Sequence, residues 1–421
     1  MFKKLFFTIV LVSFIQANAQ DGTVSPYSYF GLGTFNPANT VENNAMGGLS
    51  IYGDSIHINL QNPASYGLLK LTTYTVGVSH RRMNLNSDTQ EKSTALTAID
   101  YLSVAMPISS KMGIGFGITP VTSMGYILNS SAENANGATL TNVFSGDGGL
   151  SKIYFSLGAA PVKNFTVGAS AFANFGTVNK ERVQSLSDVL FGTIDRRSSR
   201  MNGFNLQLAA NFTPNITDKL TLYTSFVHTT ALDLKATNTQ EIGSLSLANG
   251  SELEVSEIDL AALGLENNTL EIPSITTLGL GIGENKKWLL GASYTAQDMG
   301  SFKSDFLKQA NVSYDQASTL RVGGYFIPDF APFASFFKRA TYRFGFKIIN
   351  TGMEVNNQAI KDFGTNIGVG LPMGGTFSNV NIGLEMGSLG TAAAGLIKEN
   401  YISLRVGLSL NDRWFLKRKI N

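Results

Sequence analysis

Residues 401–411 read YISLRVGLSLN, and their alternation decides the fold. Successive side chains of an extended strand point to opposite faces, so Ile402, Leu404, Val406, Leu408 and Leu410 share one side and Tyr401, Ser403, Arg405, Gly407 and Ser409 the other. The same period of two runs through KWLLGASYTA at 287–296, where Trp288, Leu290, Ala292 and Tyr294 oppose Leu289, Gly291, Ser293 and Thr295. It recurs where Tyr342, Phe344, Phe346 and Ile348 oppose Arg343, Gly345 and Lys347, and where Val380, Ile382 and Leu384 oppose Asn381, Gly383 and Glu385. A soluble sandwich alternates too, so the chemistry of the second face discriminates. Water-facing sheets carry many Lys and Glu. Here the second face is glycine, serine, asparagine and threonine with a few charges, the pattern of a membrane barrel whose interior is polar and whose branched and aromatic residues face lipid.

Composition agrees. Charged residues make up 15% of the chain, against roughly 25% in soluble domains, while aromatics reach 10% and glycine contributes 43 of 421 residues. A net charge of +2 gives no reason to expect nucleic acid as a partner. The absence of cysteine excludes disulfides, thiol catalysis and cysteine-ligated metal. At the start of the chain, Lys3-Lys4 precede an apolar run from Leu5 to Ile15 that ends at Ala17-Asn18-Ala19. This pattern predicts a secretory signal peptide over 1–19, cleaved near Ala19, and hence an envelope destination. No later run is long and apolar enough for a membrane helix.

Counting alternating runs predicts fourteen strands, the first over 71–82, the third over 111–128 and the last over 400–414. The expected organisation is a signal peptide at 1–19, a plug at 20–70, an all-β, 14-stranded antiparallel transmembrane barrel at 71–415 and a short basic periplasmic tail at 416–421. Tight turns at 109–110, 162–163, 214–217 and 284–286 alternate with long connections, as outer-membrane barrels require. Residues 234–270, acidic and rich in Leu and Ala, are expected to form an extracellular loop with some helix. Residues 327–338, a long Phe-rich connection on the periplasmic side, break the alternation. Residues 20–70 are too polar to form a core alone, yet carry specific turn chemistry, and a fourteen-strand lumen is wide enough to need filling.

Within that segment Asn44-Ala45-Met46-Gly47-Gly48, then Asp54, then Asn62-Pro63-Ala64 resemble the N-terminal hatch of FadL-type outer-membrane barrels. SPYSYFGLG at Ser25 and the ending YISLRVGLSLNDRWFLKRK look like the branch of that family found in Bacteroidota. The resemblance implies fourteen strands with a hatch, location in the outer membrane, and passive uptake of long-chain fatty acids or aromatic hydrocarbons. No cofactor is expected. The family's barrels tend to finish on an aromatic residue, whereas this sequence continues past Trp414-Phe415.

Pro120 stands inside the third predicted strand with Gly117 and Gly125 around it. A proline removes a ladder donor, and a closed barrel has no edge to hide it, so a bulge or a break in the wall is expected. By resemblance this is the kink through which apolar cargo leaves sideways; a bulge that only adjusts curvature fits the same residues. Strand parity turns Arg321, Arg343, Lys347 and Arg405 toward the lumen, with Glu385. Either one or two of them bind a carboxylate headgroup, or they pair with Asp54, Glu385 or hatch carbonyls and hold the plug. His57, His80 and His228 have no metal-ligand spacing, and serines are too frequent to single out a nucleophile, so neither a metal site nor an enzyme is expected. Trp288, Trp414 and Tyr401 suit interfacial girdle positions. Two functions remain open. One is a channel whose partners are a hydrophobic small molecule and outer-membrane lipid. The other is a non-transporting barrel that serves as a platform for an envelope protein, as FadL-like barrels do in the type IX secretion system.

Overall fold

The computed structural model describes residues 23–413, apart from 134–135, 303, 305, 308, 310, 332 and 374–377. The expected signal peptide and its cleavage point, Trp414 and the basic tail lie outside the described residues. Fourteen antiparallel strands form the wall in chain order. They are β1 (Thr72–Asn86), β2 (Glu91–Pro107), β3 (Met112–Glu133), β4 (Thr139–Val162), β5 (Phe165–Leu186), β6 (Phe191–Phe212) and β7 (Leu220–Thr229), followed by β8 (Ile275–Glu284), β9 (Trp288–Asp298), β10 (Gln316–Phe326), β11 (Thr341–Val355), β12 (Gln358–Pro372), β13 (Asn379–Leu389) and β14 (Lys398–Asp412). The barrel closes where β14 pairs with β1, from Lys398↔Asn86 to Asp412↔Thr72. Closure removes the sheet edges that a membrane would not tolerate.

Alternation is realised as read. On β14, Ile402, Leu404, Val406 and Leu410 are exposed on the outer face, while Glu399, Tyr401, Ser403, Gly407 and Ser409 are buried inside. Tyr401 is 4% exposed, so it lines the interior and is no girdle residue; it shares the parity of Ser403 and Arg405, which is inward. Strands β3 to β6 run 22 to 24 residues, about twice the length a tilted strand needs to cross a bilayer. The sheet therefore rises well beyond the membrane at the end opposite the short turns.

At that end the insertion after β7 is sheet, where some helix was expected. A strand over Leu232–Ser246 pairs with the upper half of β6, from Phe191↔Ser246 to Asn202↔Lys235, and carries two further strands, Glu252–Glu257 and Asn267–Ile272. The reason is again period two: Leu232, Leu234, Ala236 and Asn238 are buried and Asp233, Lys235 and Thr237 exposed. Leu234, Leu270 and Met201 join Leu32, Met124, Leu150 and Phe302 in an apolar cluster that fills the upper lumen.

Candidate functional site

The site is built from the N-terminal segment and the wall it touches. Thr40 caps the short helix Val41–Asn44 by accepting a bond from Asn43 N at 3.3 Å. Gly47 and Gly48 then take φ of +72° and +85°, backbone that only glycine adopts cheaply, and the chain turns against bare wall. A Cβ on Gly345 would stand 2.0 Å from Gly47 N, and one on Gly323 would stand 2.3 Å from the Met46 carbonyl. Asn44 accepts a bond from Asn366 Nδ2 at 3.1 Å. Asp54 closes a turn by accepting from the Ile56 and His57 amides at 2.8 and 2.7 Å, and its other oxygen lies 2.6 Å from His57 Nδ1. Asn62 caps the 3-10 helix Pro63–Leu68 through the Ala64 amide and donates to Asn211 and Ser225 in the wall. Pro63 and Ala64 pack on Gly168, where a Cβ would come within 2.3 Å of the Pro63 carbonyl carbon. Gly47, Pro63 and Ala64 thus serve close approach between two backbones, Asn44 and Asn62 bond the wall, and Asp54 closes a turn of the segment itself.

Of the four inward cations, two are neutralised by the wall. Lys347 Nζ lies 2.7 Å from Glu385 and 3.0 Å from Asp362, and Arg405 lies 3.2 Å from Glu385 and 2.8 Å from Asp100. Tyr401 donates to Asp362 at 2.7 Å. Arg343 donates to Asn381 at 3.0 Å, and Asn381 donates to Glu42 of the N-terminal segment at 2.7 Å. Arg321 donates to Thr295 Oγ1 at 3.0 Å and forms no ion pair among the described residues. A fifth cation has the same character. Lys152 on β4 stands 4.3 Å above the Phe172 ring without an ion pair among the described residues. Parity with Leu150 and Tyr154 was the signal that could have found it.

Arg321 and Lys152 both line a lumen cavity of about 540 Å³, together with Phe30, Leu32, Met83, Phe172 and Ile272. The cavity also reaches Phe35, Ile99, Pro120 and Val121, where the wall parts. β2 and β3 pair for six positions, from Pro107↔Gly113 to Leu102↔Ile118, with Gly117 opposite Ser103. Beyond Leu102, residues 91–101 of β2 keep only β1 as neighbour, and β3 continues along β4 through a bulge between Pro120 and Thr122. The N-terminal segment occupies the edge that β3 leaves free. Thr34 and Phe35 pair with Ser123 and Thr122, and the Ser28 hydroxyl bonds both the amide and the carbonyl of Gly125 at 3.1 Å. A second bulge, in β2, turns Asp100 inward beside Tyr101, which places its carboxylate on Arg405; the interrupted alternation hid Asp100 from sequence reasoning. The histidines sit apart, His57 on Asp54, His80 on Thr97 and His228 on Thr276.

A family model described as BamG matches residues 1–421. No curated protein matches. Among solved structures, the chain is similar to a FadL homologue of Pseudomonas aeruginosa, with a TM-score of 0.59 and 13% identity over 90% of this chain and 98% of that one. It is similar to the toluene transporter TbuX of Ralstonia pickettii, with a TM-score of 0.58 and 12% identity over 90% and 100%. It is also similar to the toluene transporter TodX of P. putida, with a TM-score of 0.55 and 13% identity over 90% and 100%. At such identities these likenesses establish the fold, a FadL-type barrel.

Proposed function

The chain belongs to the BamG family, and from its FadL-type barrel we propose that it is an outer-membrane conduit for a hydrophobic small molecule, which leaves the lumen sideways between β2 and β3. The observation that carries this reading is the continuity of the cavity with the parted wall. Its volume of about 540 Å³ falls in the range of roughly 300–1,000 Å³ typical of small-molecule sites. Leu32, Met83, Phe172 and Ile272 give it apolar surface, and Arg321 and Lys152 supply positive charge for a carboxylate or other anionic headgroup, while the paired Lys347 and Arg405 brace the wall. Release then requires Thr34–Phe35 to detach from β3, a shift of two paired residues. Toluene transport, as the names of TbuX and TodX state it, is the kind of activity this reading carries over.

The test removes the break. Gly117 is the wrong target, because a Cβ there would meet the Leu102 carbonyl oxygen at 2.4 Å and push the strands apart. Deleting the bulged Val121 and replacing Pro120 by Thr should instead let the β2–β3 ladder extend. Uptake of labelled fatty acids and aromatics by a deletion strain carrying this variant should fall by about an order of magnitude, as expected when a gating step is blocked. The barrel should remain heat-modifiable on gels. Unchanged uptake would remove lateral exit from the mechanism.

A second reading, the protein-binding platform, has its own support. Leu190, Phe191, Leu247 and Leu253 are exposed together at the extracellular tips of the β5–β6 and 232–257 hairpins, far above the lipid-facing band, and Leu190 is 75% exposed. Contiguous exposed apolar surface marks interaction sites. If the wild-type chain takes up no member of the panel while serine replacements at these four residues impair the strain, the platform replaces the conduit.

A further inference from the structure

We propose that the loop over 327–340, residue 332 aside, is a leaflet anchor that seats four phenylalanines in the periplasmic leaflet of the outer membrane. This goes beyond either reading of the lumen. The loop joins β10 to β11 at the end of the barrel where the other turns are short, and its two roots are buried, Ile327 at 7% and Ala340 at 0% exposure. Between them Phe330, Phe336 and Phe337 are exposed and Phe333 is wholly so. The loop is nonetheless shaped. Asp329 N donates to the Lys338 carbonyl at 2.9 Å, Phe336–Lys338 form a 3-10 turn, and the Phe336 and Phe337 rings meet edge to face at 5.5 Å.

Its direction follows from Tyr342. That residue lies on the outer face of β11 with Phe344 and Ile348, and its hydroxyl donates to the Phe337 carbonyl at 3.1 Å. The loop therefore leans over the lipid-facing wall and away from the lumen axis. From the neighbouring turn, Lys286 Nζ stands 4.8 Å from the Phe330 ring, and Lys338 and Arg339 follow the phenylalanines directly. Aromatic rings interleaved with cations, continuous with a lipid-facing belt that includes Phe326 and Tyr342, match the boundary between acyl chains and phosphate groups. A soluble partner would need no such continuity with the belt. At the root, Ile327 packs in the cluster that holds Leu49 and Ile51 of the N-terminal segment, so the anchor fixes the depth of the barrel where that segment and the wall meet.

The chain has no cysteine, which makes a site-directed label unambiguous. Phe333→Cys and Phe337→Cys, each carrying a nitroxide, are compared with Asp218→Cys on the short turn between β6 and β7, the full-length chain being reconstituted in vesicles of phosphatidylethanolamine and phosphatidylglycerol. At 333 and 337, collision with oxygen relative to a soluble nickel chelate should exceed that at 218 by about tenfold, as for sites inside hydrocarbon. Nickel accessibility at both sites equal to that at 218 would overturn the anchor. So would low accessibility to both reagents, which marks shielding by protein, and this result would point to a protein contact instead.

Discussion

Gly47 concentrates the demands that the N-terminal segment places on single residues. Its φ of +72° lies in the left-handed region, and a Cβ built there would stand 2.7 Å from the Phe346 carbonyl oxygen. Gly47→Val should therefore lose about 1–2 kcal/mol from the backbone alone, with steric conflict added. The temperature at which the barrel loses its compact gel mobility should drop accordingly; an unchanged midpoint would show that the turn is free to relax. His57 offers a different probe. Burial pulls its pKa down and the Asp54 carboxylate pulls it up, and the net shift is upward from 6.5. For Asp54, burial raises the pKa, but His57 and the two turn amides lower it further, so it ends below 3.8. A raised histidine stabilises fully below 6.5 and loses that contribution as pH rises through its folded value, whereas a depressed aspartate stabilises fully above 3.8 and loses it as pH falls through its own. His57→Gln should thus lower the thermal midpoint most between about pH 4 and 6.5 and least at pH 9. A deficit that grows toward pH 9 would contradict the pairing.

Whole elements show why some of this was legible and some was not. Pro120 declared a break because a residue without an N–H is visible in any sequence, and the structure places a bulge beside it. Asp100 declared nothing. Its inward turn depends on an extra residue in β2, and a phase slip inside a run of alternation looks like noise until the partner strand fixes the register. The insertion at 232–272 was misread for a related reason, since Leu, Ala and Glu favour helix in isolation while pairing with β6 imposes period two. The slip at Asp100 has energetic weight because it completes the cluster on Glu385, which is 0% exposed and pairs with both Lys347 and Arg405. Glu385→Gln leaves two inward cations short of a counter-charge and should cost about 3–5 kcal/mol. Asp100→Asn should cost less, because Arg405 keeps Glu385. Equal thermal midpoints for the two variants would show that the cluster is not centred on Glu385.

At the scale of the molecule, strand number and closure followed from alternation and turn spacing, both local properties, whereas the occupied lumen depends on contacts between residues hundreds of positions apart. Glycine connects the two levels: Gly168 admits Pro63, Gly345 admits Gly47, and Gly279 and Gly291 admit Ile51, where a Cβ would fall within 2.5 Å of that side chain. At these glycines the wall is bare where the N-terminal segment touches it, and the apolar cluster around Leu234 and Phe302 fills the upper lumen. Among the described residues, the segment and that cluster lie across the lumen on either side of the cavity, which predicts no continuous wet path for ions. The intact chain in a planar bilayer should therefore be silent. Deleting residues 24–70 exposes the polar inner faces of fourteen strands, including Asn211, Asn366 and Asn381, and should produce stepwise ion conductance. Cavity and conduction are thereby separable: the proposed route would pass a small apolar molecule through the seam of the intact barrel, whereas ions should cross only the emptied one. Conductance of the intact chain equal to that of the deletion would mean that the segment does not seal the lumen, and the lateral route would lose its reason to exist.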